Sequence, residues 1–201
     1  MGLGRTSGMA KNPFDVFARW YARAERSGLE QPNAMTLATA DNRGRPSGRI
    51  VLLKSFDARG FLFFTNYLSR KGRELASNPS AALVFWWEPL YRQVRIDGRV
   101  VKANADESDA YFASRPRGYR LGAWASEQST VVSGRMTIVQ RYFELRKQYR
   151  RQPVPRPEHW GGYRVIPDHF EFWHGRANRL HDRFDYTLGE DGQWQMQRLA
   201  P

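Results

Sequence analysis

Cysteine is absent from the 201 residues, which excludes disulfide frameworks, iron–sulfur clusters, thiolate zinc sites and cysteine nucleophiles together. A reducing, cytoplasmic setting is the default expectation. Long apolar runs are also missing. Mean hydropathy is −0.69, and no stretch approaches the roughly 18 apolar residues of a membrane helix. The first ten residues are glycine-rich and lack an apolar h-region, so no secretory signal is expected. Histidine is scarce: His159, His169, His174 and His181 stand without metal-ligand spacing, and no metal site is expected. The glycine-rich dinucleotide fingerprint, the P-loop, the nucleophile elbow and the H-E-x-x-H zinc motif do not occur.

Acidic residues are the remaining shortage. The 20 of them face 32 basic residues, for a net charge of +12 and an isoelectric point near 10.4. Such a balance fits a nucleic-acid binder. It fits equally a protein handling small phosphorylated ligands, because arginine forks pair bidentately with phosphate oxygens. The basic residues are spread through aromatic-rich segments and form no tail. Their nearest approach to a cluster is Arg141, Arg146, Lys147, Arg150, Arg151 and Arg156, which reads first as a solvated helix face and second as a polyanion patch. Length predicts one domain, residues 12–201, behind a flexible arm over residues 1–11.

Asn12-Pro13 is a helix start, followed by Phe14, Phe17, Trp20, Tyr21 and Ala24 at helical spacing and a stop at Gly28. The period then changes. Residues 35–40, 49–54 and 61–65 read as strands separated by the hairpin-like turns 41–44 and 57–60. Ser69 caps a short helix closed by Asn78-Pro79. Strands at 81–87 and 93–102 follow, then a helix from Asn104 that ends before Pro116. A longer helix spans about 133–150, with Ile138, Tyr142 and Leu145 toward a core. Beyond the stiff connector Pro153, Pro155 and Pro157, strands are expected at 163–166, 169–174, 183–188 and 193–199. The fold class is α+β, a mainly antiparallel barrel with flanking helices.

Cations stand in unusual places. Arg49 opens the apolar strand Ile50-Val51-Leu52-Leu53, and Lys54 closes it. They either snorkel past a buried strand or flank a groove holding an anion. Ser69-Arg70-Lys71 puts cations at a helix N-terminus, against the dipole, where an anionic ligand compensates. Arg115 and Arg117 bracket a proline. Arg179, His181 and Arg183 share one face if the segment is extended. Such a face is either a salt-bridged exposed strand or a site.

RIVLLK (49–54), NYLSRKGREL (66–75), SRPRG…LGAWAS…QS (114–129), WGGYRV (160–165), EFWHGRANRLHDR (171–183) and the terminal RLAP resemble the pyridoxine/pyridoxamine 5′-phosphate oxidase family, in order and over nearly the whole chain. The resemblance implies a homodimeric split β-barrel with FMN at the subunit interface. It further implies oxidation of pyridoxine or pyridoxamine 5′-phosphate to pyridoxal 5′-phosphate, with O2 reduced to H2O2, and no nucleic-acid or membrane partner. It assigns FMN contacts to Arg49, Ile50, Val51, Leu52, Leu53, Lys54, Phe64, Thr65, Arg70, Lys71, Gln93, Gln128, Ser129, Trp173 and Arg183. It assigns the substrate to Lys54, Tyr111, Arg115, Arg179 and His181, the last two as catalytic groups.

The sequence departs from the family pattern at Tyr119 and Arg120, where a serine and a glutamine are usual. The serine helps hold the substrate phosphate, and Arg120, or else the Tyr119 hydroxyl reaching from a shifted loop, is the expected replacement for its contact. The Arg and Tyr that many members carry on an N-terminal arm over the site have no counterpart in residues 1–10 beyond Arg5. These departures motivate a rival reading, a related split-barrel flavin oxidase acting on another substrate such as a phenazine precursor.

Overall fold

Asn12 starts the first helix as expected: its side chain accepts from the Phe14 amide, and Pro13 occupies the first turn of α1 (Pro13–Glu25). A computed structural model describes residues 10–201. The arm expected over residues 1–11 therefore lies outside the described residues except for its last two. Val16, Phe17, Trp20 and Ala24 on the inner face of α1 are buried against Phe61, Phe85, Trp87 and Phe172. Each large side chain removed from water contributes roughly 1.5–3 kcal/mol, so this face anchors the sheet.

The sheet has nine strands: β1 (Ala34–Ala40), β2 (Pro46–Leu52), β3 (Ser55–Asp57), β4 (Gly60–Asn66), β5 (Ser80–Trp87), β6 (Arg92–Lys102), β7 (Trp160–His174), β8 (Asp182–Leu188) and β9 (Trp194–Leu199). The order runs β2-β1-β5-β6-β7-β4-β3, every pairing is antiparallel, and β8 and β9 branch from β7. The first half of β7 pairs with β4 and its second half with β8, while β6 runs along its other edge. The sheet therefore forks at the middle of β7.

Two separate strands were expected where β7 is continuous. Pro167 and Asp168 look like a break, but they lie at a bulge whose register shift falls between Asp97 and Gly98. Proline is tolerated there because a bulge frees one residue from the ladder. Gly98 is required, since a Cβ would lie 2.2 Å from the Ile166 carbonyl oxygen. His169 spans the bulge, 3.0 Å from Asp97 and 2.6 Å from Asp185.

Helices α2 (Arg70–Ser77), α3 (Ala105–Ser114), α4 (Arg117–Ala125) and α5 (Arg135–Gln148) complete the chain. Ser69 and Asn104 cap α2 and α3 through the Gly72 and Glu107 amides. No element is expected from the sequence at α4; Pro116 follows the end of α3 and is itself the N-cap of α4. Ile138, Tyr142 and Leu145 of α5 are half-buried; Tyr142 and Leu145 pack on a small second core of Phe112, Leu121, Val154 and Trp160. Among the described residues no helix is long and apolar enough to cross a membrane.

Candidate active site

Between β2 and β4 the sheet leaves a cleft of about 1010 Å³, walled by Arg49–Leu52, Lys54, Phe64, Thr65, Arg70, Lys71, Tyr111, Arg115, Tyr119, Gln128, Ser129 and Trp160. That is the upper range of small-molecule sites, about 300–1,000 Å³. The cations in it fall into two groups.

The first group surrounds the start of α2. Lys71 is nearly buried and spends its three protons on Ser69 (3.0 Å), Thr65 (3.1 Å) and Gln128 (3.2 Å). Burial, with repulsion from Arg49, pushes its pKa down to about 8 against a partial pull from Glu74. Gly72 permits the tight turn beneath it, for a Cβ there would meet the Tyr67 carbonyl oxygen at 2.0 Å.

Glu74 is the buried hub of this group and was not anticipated from the sequence. One carboxylate oxygen accepts from Thr39 (2.5 Å), Ser47 (2.7 Å) and Arg49 (3.1 Å), the other from Arg70 (2.8 Å). Burial opposes its ionisation, but the hydrogen bonds from Thr39, Ser47, Arg70 and Arg49 outweigh it and hold the carboxyl at about 2. An acid one turn after Arg70 on a short helix reads as an ordinary i,i+4 partner. Only the strand pairing that brings Arg49 opposite Leu37 reveals the hub.

The second group gathers at the end of α3. The Lys54 ammonium lies 5.7 Å from the Tyr111 ring centre, and the Arg115 guanidinium 4.7 Å from that of Trp160. Phe64, Tyr111 and Trp160 are near-parallel, with Phe64 4.1 Å from Tyr111 and 5.5 Å from Trp160. The Arg115 Nη1 is buried without a hydrogen-bond partner, and burial pushes the guanidinium's pKa down, opposed by Tyr111 and Tyr119. A buried unsatisfied cationic donor costs free energy that an incoming anion recovers. Tyr119 stands 66% exposed at the mouth, whereas Arg120 does not line the cleft. Of the two candidates for the missing phosphate contact, Tyr119 lines the cleft and Arg120 does not.

The other expected site residues lie elsewhere. Leu53 points into the main core. Gln93, Trp173, His181 and Arg183 gather on and beside the sheet face of β6, β7 and β8 that α1 leaves uncovered. Gln93 pairs with Trp173, and Trp173 with Arg183. The rings of Trp173 and His181 are 4.6 Å apart. Arg183 is tied to Glu171 (2.7 Å) and to the Ala200 carbonyl (2.9 Å). Arg179, His181 and Arg183 do not share one extended strand. Asn178 and Arg179 are left-handed (φ 56° and 60°), the turn ends only at Leu180, and β8 begins at Asp182. Left-handed residues without glycine cost of order 1–3 kcal/mol each, so the hairpin tip is held by its surroundings. His181 Nδ1 accepts from the Arg176 amide at 3.1 Å. A backbone N–H only donates, so the neutral ring carries its proton on Nε2.

This architecture is shared with solved proteins. The crystal structure of PhzG from Burkholderia lata in complex with tetrahydrophenazine-1-carboxylic acid superposes with a TM-score of 0.90 at 32% identity, covering 96% of this chain and 94% of that one. A pyridoxamine 5′-phosphate oxidase-related, FMN binding protein from Nostoc punctiforme shares the fold, with a TM-score of 0.75 at 17% identity over 96% of this chain and 100% of that one. The fold is the split barrel of this class of oxidoreductases.

Residues 22–149 match the family model for pyridoxamine 5′-phosphate oxidase, and residues 160–201 that for the pyridoxine 5′-phosphate oxidase C-terminal dimerisation region. The pyridoxine/pyridoxamine 5′-phosphate oxidase of Trichormus variabilis is 58% identical, and that of Paraburkholderia phymatum 60%, each over 94% of this chain and 89% of the relative. The chain belongs to the pyridoxine/pyridoxamine 5′-phosphate oxidase family, and it is an oxidoreductase.

Proposed function

We propose that the protein is a homodimeric, FMN-dependent oxidase of the cytoplasm. It converts pyridoxamine 5′-phosphate and pyridoxine 5′-phosphate to pyridoxal 5′-phosphate and reduces O2 to H2O2. The observation that carries this reading is the presence of two separate cation groups in one aromatic-walled cleft, one for each of two phosphates. Arg49, Arg70 and Lys71 suit the FMN phosphate, and Gln128 and Ser129 neighbour them. The hub at Glu74 aims both arginines without neutralising the three cations. Bound FMN supplies the two-electron redox chemistry at the substrate's C4′ carbon.

Lys54, Tyr111 and Arg115 take the substrate phosphate, and the unpartnered Arg115 Nη1 is the donor left for it. Fixing the substrate this way contributes orientation, worth about 7–11 kcal/mol of barrier in favourable cases. Trp173, Arg179, His181 and Arg183 lie apart from the cleft of their own chain but within the segment that matches the dimerisation region. A second copy brings them over the cleft, with Gln93 beside them. Arg179 then covers the substrate ring, and the His181 Nε2–H donates to the oxygen or nitrogen on C4′. Turnover of pyridoxamine 5′-phosphate with equal H2O2 formation, by yellow protein holding one FMN per chain, is the expected result. A colourless protein that FMN does not reconstitute contradicts it.

Tyr119 and the likeness to PhzG favour one alternative, an oxidase of the same chemistry acting on a phenazine precursor. The identity of 57–60% to oxidases named for pyridoxine and pyridoxamine phosphates weighs against it, as does the complete Lys54, Tyr111 and Arg115 set.

A further inference from the structure

The basic run that the cleft does not use lines a second concavity. Phe143, Arg146 and Lys147 fall at i, i+3 and i+4, one face of α5, and Arg150 follows in the turn after its end at Gln148. With Arg117 of α4 they enclose a depression of about 400 Å³. Phe143 stands 54% exposed within it. Arg117 is held in place by donating to the Tyr149 carbonyl and, at 3.4 Å, to that of Gln152. The ion pairs nearby are Arg141–Glu127 and Arg156–Asp109; none of the four cations of the depression takes part in one among the described residues.

Helix physics accounts for part of this arrangement. Cations are favoured near a helix C-terminus. Four like charges gathered around one depression repel, however, and Arg117 and Arg150 lie outside α5, so the helix dipole does not account for them. Nor does either effect explain an aromatic ring kept in water at the centre of the charge. An anion bridging the four cations removes the repulsion, and a planar group laid on Phe143 removes its exposed apolar face.

We propose that this depression binds a multiply phosphorylated ligand carrying a planar ring, a ligand of the nucleotide class. The guanidinium forks of Arg146 and Arg150 grip phosphate oxygens bidentately, Lys147 and the carbonyl-anchored Arg117 add charge, and the ring stacks on Phe143. The site shares no lining residue with the cleft, so this inference and the oxidase reading fail independently.

Calorimetric titration of the purified chain with ATP and with inorganic triphosphate, at near-physiological salt, tests it. ATP is expected to bind, and R146E combined with K147E to weaken it by about tenfold or more. Arg49→Ala, which cripples the cleft's own anion grip, leaves ATP affinity unchanged. Phe143→Ala weakens ATP by about tenfold but not triphosphate. Unfolding midpoints of the variants confirm that these exposed substitutions leave the fold intact, with Arg150→Glu as a second charge reversal. ATP binding that survives both reversals, or that vanishes with Arg49→Ala, overturns the proposal by placing the anion in the cleft. Equal affinity for ATP and triphosphate overturns the nucleotide class. Binding of a single-stranded oligonucleotide without binding of ATP overturns it in favour of a polyanion surface.

Discussion

Arg49 of β2 and Glu74 of α2 meet at 3.1 Å beneath the cleft, and the same carboxylate holds Arg70 at 2.8 Å. Two cations from different elements are thereby fixed by one buried acid. Glu74→Gln should keep the volume and lose the charge, leaving Arg49 and Arg70 less well aimed. The expected outcome is weaker FMN retention and a fold less stable by about 1–3 kcal/mol. Because the Glu74 carboxyl sits at about 2 when folded, below its ordinary 4.5, its stabilisation is complete above pH 4.5 and is lost as pH falls toward 2. Acid unfolding followed by circular dichroism should therefore show a smaller loss between those values in Glu74→Gln than in the parent. Identical curves would remove Glu74 as the hub.

Lys71 makes two opposite pH trends. Its folded pKa of about 8 lies below the ordinary 10.5, so the unfolded chain binds more protons between those values and the FMN-free fold gains stability as pH rises through them. Anion affinity runs the other way, since only the protonated amine attracts phosphate. FMN affinity should fall above pH 8 by up to about tenfold per unit, and Lys71→Arg should flatten that slope. Flavin fluorescence quenching across pH 7–9 measures it.

Arg115→Ala should raise KM for pyridoxamine 5′-phosphate more than about tenfold, while Tyr119→Ser changes it by less than about tenfold. Arg115 offers a buried unpartnered donor, whereas Tyr119 stands at the exposed mouth. If Tyr119→Ser instead creates activity that the parent lacks, the phenazine-type reading takes over.

Arg179→Ala and His181→Ala should lower turnover and leave the protein yellow, because the proposed site sets both against the substrate and not against the flavin. Arg183→Ala, assigned to the flavin, should weaken FMN instead. Absorbance and steady-state rates on the same preparations separate the two roles.

The first helix, its proline start and the Ser69 cap were all legible because each is a local signal. The cationic strand ends were not ends: the pairing of β1 with β2 begins at Pro46, so Arg49 stands mid-strand and Lys54 lies beyond Leu52. What escaped depended on long-range pairing. Pro167 looks like a strand break until β6 supplies the bulge at Asp97 and Gly98. Arg179 to Arg183 has the alternation of a strand, yet two left-handed residues, Asn178 and Arg179, turn the chain before β8 begins. Glu74 acquires its role only when β1 and β2 present Thr39, Ser47 and Arg49 to it.

In the proposed dimer one active site takes its cleft from one chain and its Arg179–His181 hairpin from the other. Subunit mixing tests this directly. Chains carrying Arg49→Ala and chains carrying His181→Ala, each nearly inactive alone, are unfolded together in equal amounts and refolded with FMN. In a two-fold dimer, half of the products are mixed, and each mixed dimer has one site with both parts intact. Activity should return to about a quarter of the parent's. If refolded mixtures remain as inactive as the separate variants while dimers form, both parts belong to the same chain's site and the claim is wrong.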